Sequence, residues 1–115
     1  MGIDLKPGYV PSTEYLLVND EGEYVGIFNL RHILNEHLEH GAGHIGYGIA
    51  AQHRGQGYAT KGLSLVLQEA GRLGIQTAYL SVNKQNPASL KVQMKNGAYI
   101  DHEDDKEFYT RIKIR

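Results

Sequence analysis

The stretch Gln52-His53-Arg54-Gly55-Gln56-Gly57-Tyr58-Ala59-Thr60 lies between a glycine-rich strand pattern and the strongest helical pattern of the chain. The first turn of a helix has four backbone N–H groups without a partner inside the helix, and it carries about half a positive charge. Gly55 and Gly57 lack the Cβ atoms that would keep the backbone away from phosphate oxygens, and Arg54 adds a cation. The stretch therefore predicts a phosphate site. The alternative is a strand-to-helix turn that needs glycine only for its shape.

Two common nucleotide motifs do not match this stretch. A Walker loop ends in Gly-Lys-Ser/Thr, whereas Thr60 here precedes Lys61 and no glycine stands before the lysine. A dinucleotide fingerprint needs glycine at the position of Thr60 and an acid after the next strand, where Asn83 stands. The residues 41–46 spell Gly-x-Gly-x-x-Gly, but they lead into a strand and not a helix. Both nucleotide motifs are therefore excluded.

Strand and helix patterns alternate on both sides of the stretch. Turn residues at 19–22 separate two short apolar runs, which predicts a β-hairpin. Asn86-Pro87 has the pattern of a helix N-cap followed by proline at the first helical position. The predicted elements are strands 15–18 and 24–32, a short helix 33–40, a strand 44–49, a helix 59–73, a strand 78–82, a helix 87–96, and strands 98–102 and 108–114. This order predicts the α/β (α+β) class, with a mixed, mostly antiparallel sheet and two main helices packed on it.

The loop and the region after it resemble the GNAT family of N-acetyltransferases. The acetyl-CoA signature of that family, Gln/Arg-x-x-Gly-x-Gly/Ala, is matched by Gln52, Gly55 and Gly57. A second family block is matched by the strand 79–82, the residues Asn83-Lys84-Gln85-Asn86-Pro87-Ala88-Ser89, and Lys95-Asn96-Gly97-Ala98. The resemblance covers residues 14 to 114 and implies an N-acetyltransferase that moves the acetyl group of acetyl-CoA to an amine by direct attack in a ternary complex.

The resemblance also implies which residues bind the cofactor. In the family, the strand before the loop and the strand at 78–82 splay apart, and the pantetheine arm lies in the gap. The implied cofactor-binding residues are Ile49, Ala50, Gln52, Arg54, Gly55, Gln56, Gly57, Tyr58, Ala59, Thr60, Asn83, Asn86 and Ser89. Asn86 has an equally good structural role, because an N-cap asparagine stabilises its helix without touching a ligand.

A base is needed because an alkylamine with a pKa near about 10.4 is almost fully protonated at neutral pH. His44 is the predicted base, since it shares a strand face with Gly46 and Gly48 and its imidazole is mostly neutral at that pH. The alternative for His44 is a hydrogen bond within the sheet. Glu36 and Glu39 are other candidate bases, although charged residues on such a segment are more often simply solvated.

The leaving thiolate needs a proton or a hydrogen bond. In the GNAT family this often comes from a tyrosine on the second helix, four residues before its terminal glycine, and Gln93 stands at that position here. Gln93 has no titratable proton. Tyr47, Tyr99 or Tyr109 could take the role, or the thiolate could leave with the help of solvent.

The composition excludes several classes. With 115 residues, 41% of them hydrophobic and 22% charged, the chain fits a single domain, 1–115, with an irregular lead-in at 1–13. A formal net charge of −1 gives no positive field for nucleic acid or an anionic membrane, and neither is expected as a partner. The absence of cysteine excludes disulfides, thiolate metal sites and a cysteine nucleophile. The N-terminal residues lack the pattern of a signal peptide, which predicts a cytoplasmic protein.

The beginning of the chain departs from the family, because its usual first strand and two following helices are absent. The chain could be a truncated relative, a minimal member, or a protomer whose site and core are completed by a second copy, and of these a homodimer is expected. The acceptor amine cannot be read from the sequence.

One rival function is a non-catalytic domain that binds or senses acyl-CoA. Another is a metal-binding module built from His32, His37, His40 and His44, although we expect no metal.

Overall fold

The computed structural model describes residues 10–114. Along the chain these form β1 (Ser12–Val18), β2 (Tyr24–Arg31), α1 (Glu36–Glu39), β3 (Ile45–Ile49), a 3₁₀ turn (Ala51–His53), α2 (Tyr58–Arg72), β4 (Thr77–Asn83), α3 (Pro87–Lys95), β5 (Tyr99–Glu103) and β6 (Glu107–Lys113). The predicted class and element order are confirmed. No helix among the described residues is long and apolar enough to cross a membrane.

Two boundaries at the N-terminal end differ from the prediction. Residues 1–9 of the predicted lead-in lie outside the described residues, but Ser12 and Thr13 already belong to β1, where they pair with Arg31 and Leu30. The short helix predicted at 33–40 is a single turn, Glu36–Glu39, and it begins after Asn35, whose side chain accepts a hydrogen bond from the N–H of Leu38.

Within residues 10–114 the strands form two antiparallel three-stranded sheets, in the orders β1-β2-β3 and β4-β6-β5. The sequence pattern predicted one mixed sheet. An isolated bridge between Gly43 and Leu80 joins the two sheets. Gly43 has a φ of 74°, and a Cβ atom on it would collide with the carbonyl group of Tyr79. The close approach of the two sheets therefore requires glycine at this position.

α2 is held to the first sheet by the apolar face that its spacing predicts. Leu63, Val66, Leu67 and Ala70 are buried in one core with Phe28 of β2. Gly62 is also buried, and a Cβ atom on it would collide with the Phe28 ring. This packing fixes the start of α2, and with it the loop at residues 52–57, against the end of β3.

α3 begins as its sequence predicts. The side chain of Asn86 accepts a hydrogen bond of 3.1 Å from the N–H of Ser89, and Pro87 occupies the first turn. At the other end of α3, the side-chain amide of Asn96 donates to the carbonyl of Thr60 at 3.2 Å. This bond ties α3 to the first turn of α2, so the two helices are positioned relative to each other beside the loop.

Candidate active site

A cleft of about 600 Å³ opens between the end of β3, the start of α2 and one face of α3. The predicted cofactor residues that line it are Ile49, Arg54, Gly55, Gly57, Tyr58, Ala59, Thr60, Asn86 and Ser89. Those that do not line it are Ala50, Gln52, Gln56 and Asn83. The cleft is also lined by residues that were not predicted to bind the cofactor, among them Tyr47, His53, Lys91 and Lys95. The structure thus brings most of the predicted set together and adds a second wall from α3.

The two glycines of the loop have left-handed backbones, with φ of 79° at Gly55 and 84° at Gly57. A Cβ atom on either glycine would find no other atom within 4 Å, so glycine is needed there for conformation and not to avoid a neighbour. Gly57 is also the N-cap of α2 and provides no side-chain hydrogen bond. The first-turn N–H groups of α2 therefore lack the capping partner that serine, threonine or asparagine would supply.

Arg54 lies at the mouth of the cleft and is exposed. Its Nε donates to the carbonyl oxygen of Ile49 at 3.0 Å, and within the described residues its terminal nitrogens make no hydrogen bond or ion pair. The bond orients the guanidinium group and leaves its outer N–H groups available to an anion. The N–H of Ala50, predicted to meet the pantetheine arm, donates instead to the carbonyl of Val25 at 2.9 Å.

Tyr47 crosses the cleft from β3 to α3. Its ring stacks on Phe28 with centroids 5.3 Å apart, and its hydroxyl lies 2.7 Å from Oγ and 3.3 Å from the carbonyl oxygen of Ser89. Burial raises the pKa of Tyr47, and contacts with Ser89 and Gln93 partly oppose that change. The phenol is consequently protonated at neutral pH. Sequence alternation could place Tyr47 on the core side of β3, but it could not show that the first turn of α3 lies within reach of its hydroxyl.

Gln93 occupies the position where the family often has a tyrosine, and its buried side chain forms hydrogen bonds within the fold. Its side chain is 1% exposed. Its amide donates to the carbonyl of Ser81 at 3.3 Å, and its oxygen accepts from the hydroxyl of Thr110 at 2.6 Å. Gln93 therefore connects α3 to β4 and β6, and it has no proton to give to a leaving group.

His44 does not line the cleft. It is 8% exposed, and its Nδ1 accepts a 2.9 Å hydrogen bond from the N–H of Tyr79. Burial, followed by the charges of Arg111 and Arg31, lowers the pKa of His44 to about 4. The bond occupies the lone pair that a base would need and leaves the proton on Nε2. This position favours the alternative stated above, a histidine that hydrogen-bonds between strands, and the role of His44 as a base stays a prediction.

The other candidates from the sequence lie on exposed segments. Glu36 and Glu39 are exposed on α1, and Gln52 is exposed in the 3₁₀ turn. Asn83 ends β4, where its side chain accepts from the N–H of Gln85 at 2.8 Å. Within residues 10–114 no group of three or more histidine, aspartate or glutamate side chains could hold a metal ion.

Comparison with known proteins places this geometry in a family. A spermidine N-acetyltransferase from Vibrio cholerae, solved in complex with CoA and spermine, is 18% identical over 89% of this chain and 65% of its own, with a TM-score of 0.73. A dodecameric structure of spermidine N-acetyltransferase from the same organism is 18% identical over 90% of this chain and 65% of its own, with a TM-score of 0.73. This chain thus spans 65% of the length of those two structures.

No curated protein sequence matches this chain significantly. The family model described as an acetyltransferase (GNAT) domain matches residues 6–99, which include the loop, the whole of α2 and the α3 wall of the cleft. That match covers most of the chain. The chain also has the same fold as the two solved structures. The chain belongs to the GNAT acetyltransferase family.

Proposed function

We propose that this chain binds acetyl-CoA in the cleft and transfers the acetyl group to an amine by direct attack in a ternary complex. The observation that carries the proposal is the uncapped start of α2, preceded by two left-handed glycines, at the wall of an open cleft. Family membership supports the choice of cofactor. Each contact between a helix N-terminus and an anion contributes about 0.3–1 kcal/mol when exposed, and several contacts on one diphosphate add up.

Different residues of the cleft are proposed to bind different parts of the cofactor. The first-turn amides of α2 and the outer N–H groups of Arg54 would hold the diphosphate, and Ile49 and Ser89 would border the pantetheine arm. Bound acetyl-CoA supplies the activated acyl group. Gln52, Gln56, Ala50 and Asn83, which the family resemblance assigned to the cofactor, stand outside the cleft lining and stay predictions.

Tyr47 is the proposed proton donor to the leaving thiolate. Among the three tyrosines considered, it is the one that lines the cleft, and burial keeps its phenol protonated. Its hydroxyl is held by Ser89 in the region where the pantetheine arm would pass between β3 and α3. Binding of the ligand would have to break the hydrogen bond between the Tyr47 hydroxyl and Ser89. Removal of a proton from the attacking amine is assigned to water, and a role for His44 in this step stays a prediction from the sequence.

The acceptor and the assembly are proposed from the two solved structures. The Vibrio cholerae enzymes named above are spermidine N-acetyltransferases, so polyamines are the first amines to test. One of those structures is dodecameric, which supports an oligomer, and we propose a homodimer as its smallest unit here. Sedimentation of the purified chain should show a species of twice the monomer mass, and a single monomeric species would contradict the homodimer.

Two measurements test the function and separate it from the rival sensor. Calorimetry with acetyl-CoA reports binding, and release of free thiol over a panel of polyamines, amino acids and aminoglycosides reports transfer. We expect saturable binding and thiol release that depends on one class of amine. Binding without thiol release from any amine would favour the sensor, and the absence of binding would contradict both functions.

A further inference from the structure

The α3 wall of the cleft carries two cations that the family signature does not include. Lys91 and Lys95 stand four residues apart, one helical turn, and both line the cleft. Both side chains are exposed. Among the described residues neither forms an ion pair, and none of those that line the cleft is an aspartate or a glutamate. The wall therefore presents a positive charge that residues 10–114 do not neutralise.

This arrangement is unfavourable for the free helix. Like charges at positions i and i+4 repel each other on a helix surface. Lys95 lies in the last turn of α3, where the helix dipole stabilises a cation, but Lys91 lies in the middle of the helix and has no such compensation. An anion bound between the two ammonium groups would remove the repulsion. The pair thus fits a ligand that brings a compact double negative charge.

We infer that Lys91 and Lys95 bind the 3′-phosphate of the coenzyme A ribose and make the chain discriminate CoA from dephospho-CoA. The inference rests on the proposed function, because it assigns a further contact to the same ligand. The diphosphate is assigned to the loop wall, at Arg54 and the first turn of α2. The remaining charged group of CoA is a phosphate monoester with close to two negative charges, which matches two lysines on the facing wall.

Calorimetry with CoA and with dephospho-CoA, which lacks only the 3′-phosphate, tests the inference. Wild-type protein should bind CoA about tenfold more tightly than dephospho-CoA, since hydrogen bonds to charged groups are the strong ones. K91A/K95A should lose about that tenfold for CoA and stay within about twofold of wild type for dephospho-CoA. Unchanged binding of dephospho-CoA by the variant also shows that its cleft is folded.

K106A/K113A is the matched control, because it removes the same charge from exposed lysines outside the cleft. It should bind both ligands as wild type does. Equal losses for CoA and dephospho-CoA in K91A/K95A would overturn the inference, because the lysines would then act on a shared group such as the diphosphate. No loss for either ligand would overturn it as well. If wild-type protein binds neither ligand, the cofactor assignment itself fails; if it binds both equally well, only the lysine inference fails.

Discussion

Two titratable side chains of the strand region 44–49 serve two different parts of the molecule. His44 lies at the junction of the two sheets, where it is buried, neutral and hydrogen-bonded to the N–H of Tyr79. Tyr47 lies three residues further on and on the opposite face, and its hydroxyl reaches Ser89 across the cleft. The ordinary pKa of an imidazole makes His44 the better candidate for acid–base catalysis, whereas only Tyr47 of the two lines the cleft. The contrast shows that access to the cleft must be established before the pKa of a candidate is considered.

The largest expected effect is at the junction. Gly43→Ala should lower the free energy of unfolding by about 3–4 kcal/mol, because its φ is left-handed and the new Cβ would collide with the carbonyl of Tyr79. Urea unfolding measures the change. Gly46→Ala is the control: a Cβ there meets no atom within 4 Å, and a loss below about 1 kcal/mol is expected. Equal losses in the two variants would contradict the structural role of the junction.

The next effect is at the cleft. Tyr47→Phe keeps the ring on Phe28 but removes the hydroxyl, so turnover should fall about a hundredfold while KM for acetyl-CoA changes by less than about threefold. Steady-state kinetics of thiol release measures both constants. Tyr99→Phe, on the exposed β5, is the control and should behave as wild type. A turnover of Tyr47→Phe equal to that of the control would exclude Tyr47 as the proton donor.

His44 should matter much less to turnover than Tyr47. In His44→Gln, a side-chain oxygen can accept the N–H of Tyr79 as Nδ1 does, so turnover should stay within about threefold of wild type. If His44 is the base that the sequence predicts, turnover should fall tenfold or more. The same kinetic assay, run on correctly folded variant protein, decides between these two outcomes.

A further expected effect is a pH dependence of stability. The pKa of His44 in the fold is lowered to about 4, so between about pH 6.5 and pH 4 the unfolded chain binds a proton that the folded chain does not. Stability from this group is therefore full above that window and is lost as the pH falls through it. The melting temperature of wild type should drop more between pH 7 and pH 5 than that of His44→Gln. Parallel drops would show that His44 is not the group responsible.

Local patterns in the sequence predicted most of the fold. The apolar spacing of α2, the Asn86-Pro87 start of α3 and the hairpin of β1 and β2 are each fixed by residues close in the chain, and the structure confirms them. The split into two sheets was not predicted, because it depends on whether β3 pairs with β4, a strand about thirty residues further along the chain, and the two sheets pair only through an isolated bridge at Gly43 within the described residues. A periodic pattern specifies elements, but it does not specify which distant strands fail to pair.

Part of the candidate site could also be predicted from local sequence, and part could not. The loop wall was predicted, since its signature is contiguous from Gln52 to Thr60. The α3 wall was missed at Lys91 and Lys95, because exposed lysines on a helix carry no local signal of a ligand and acquire one only when the helix faces the loop. Helical spacing does place Lys91 and Lys95 on one face of α3 together with Ala88, and this was the available signal.

The central claim is that the first-turn amides of α2 bind a diphosphate, and amide chemical shifts test it most directly. When CoA is titrated into ¹⁵N-labelled protein, the account predicts the largest shifts at the backbone N–H signals of residues 55–60, with smaller changes along α1. Saturation with CoA that leaves the signals of residues 55–60 unmoved would contradict the account.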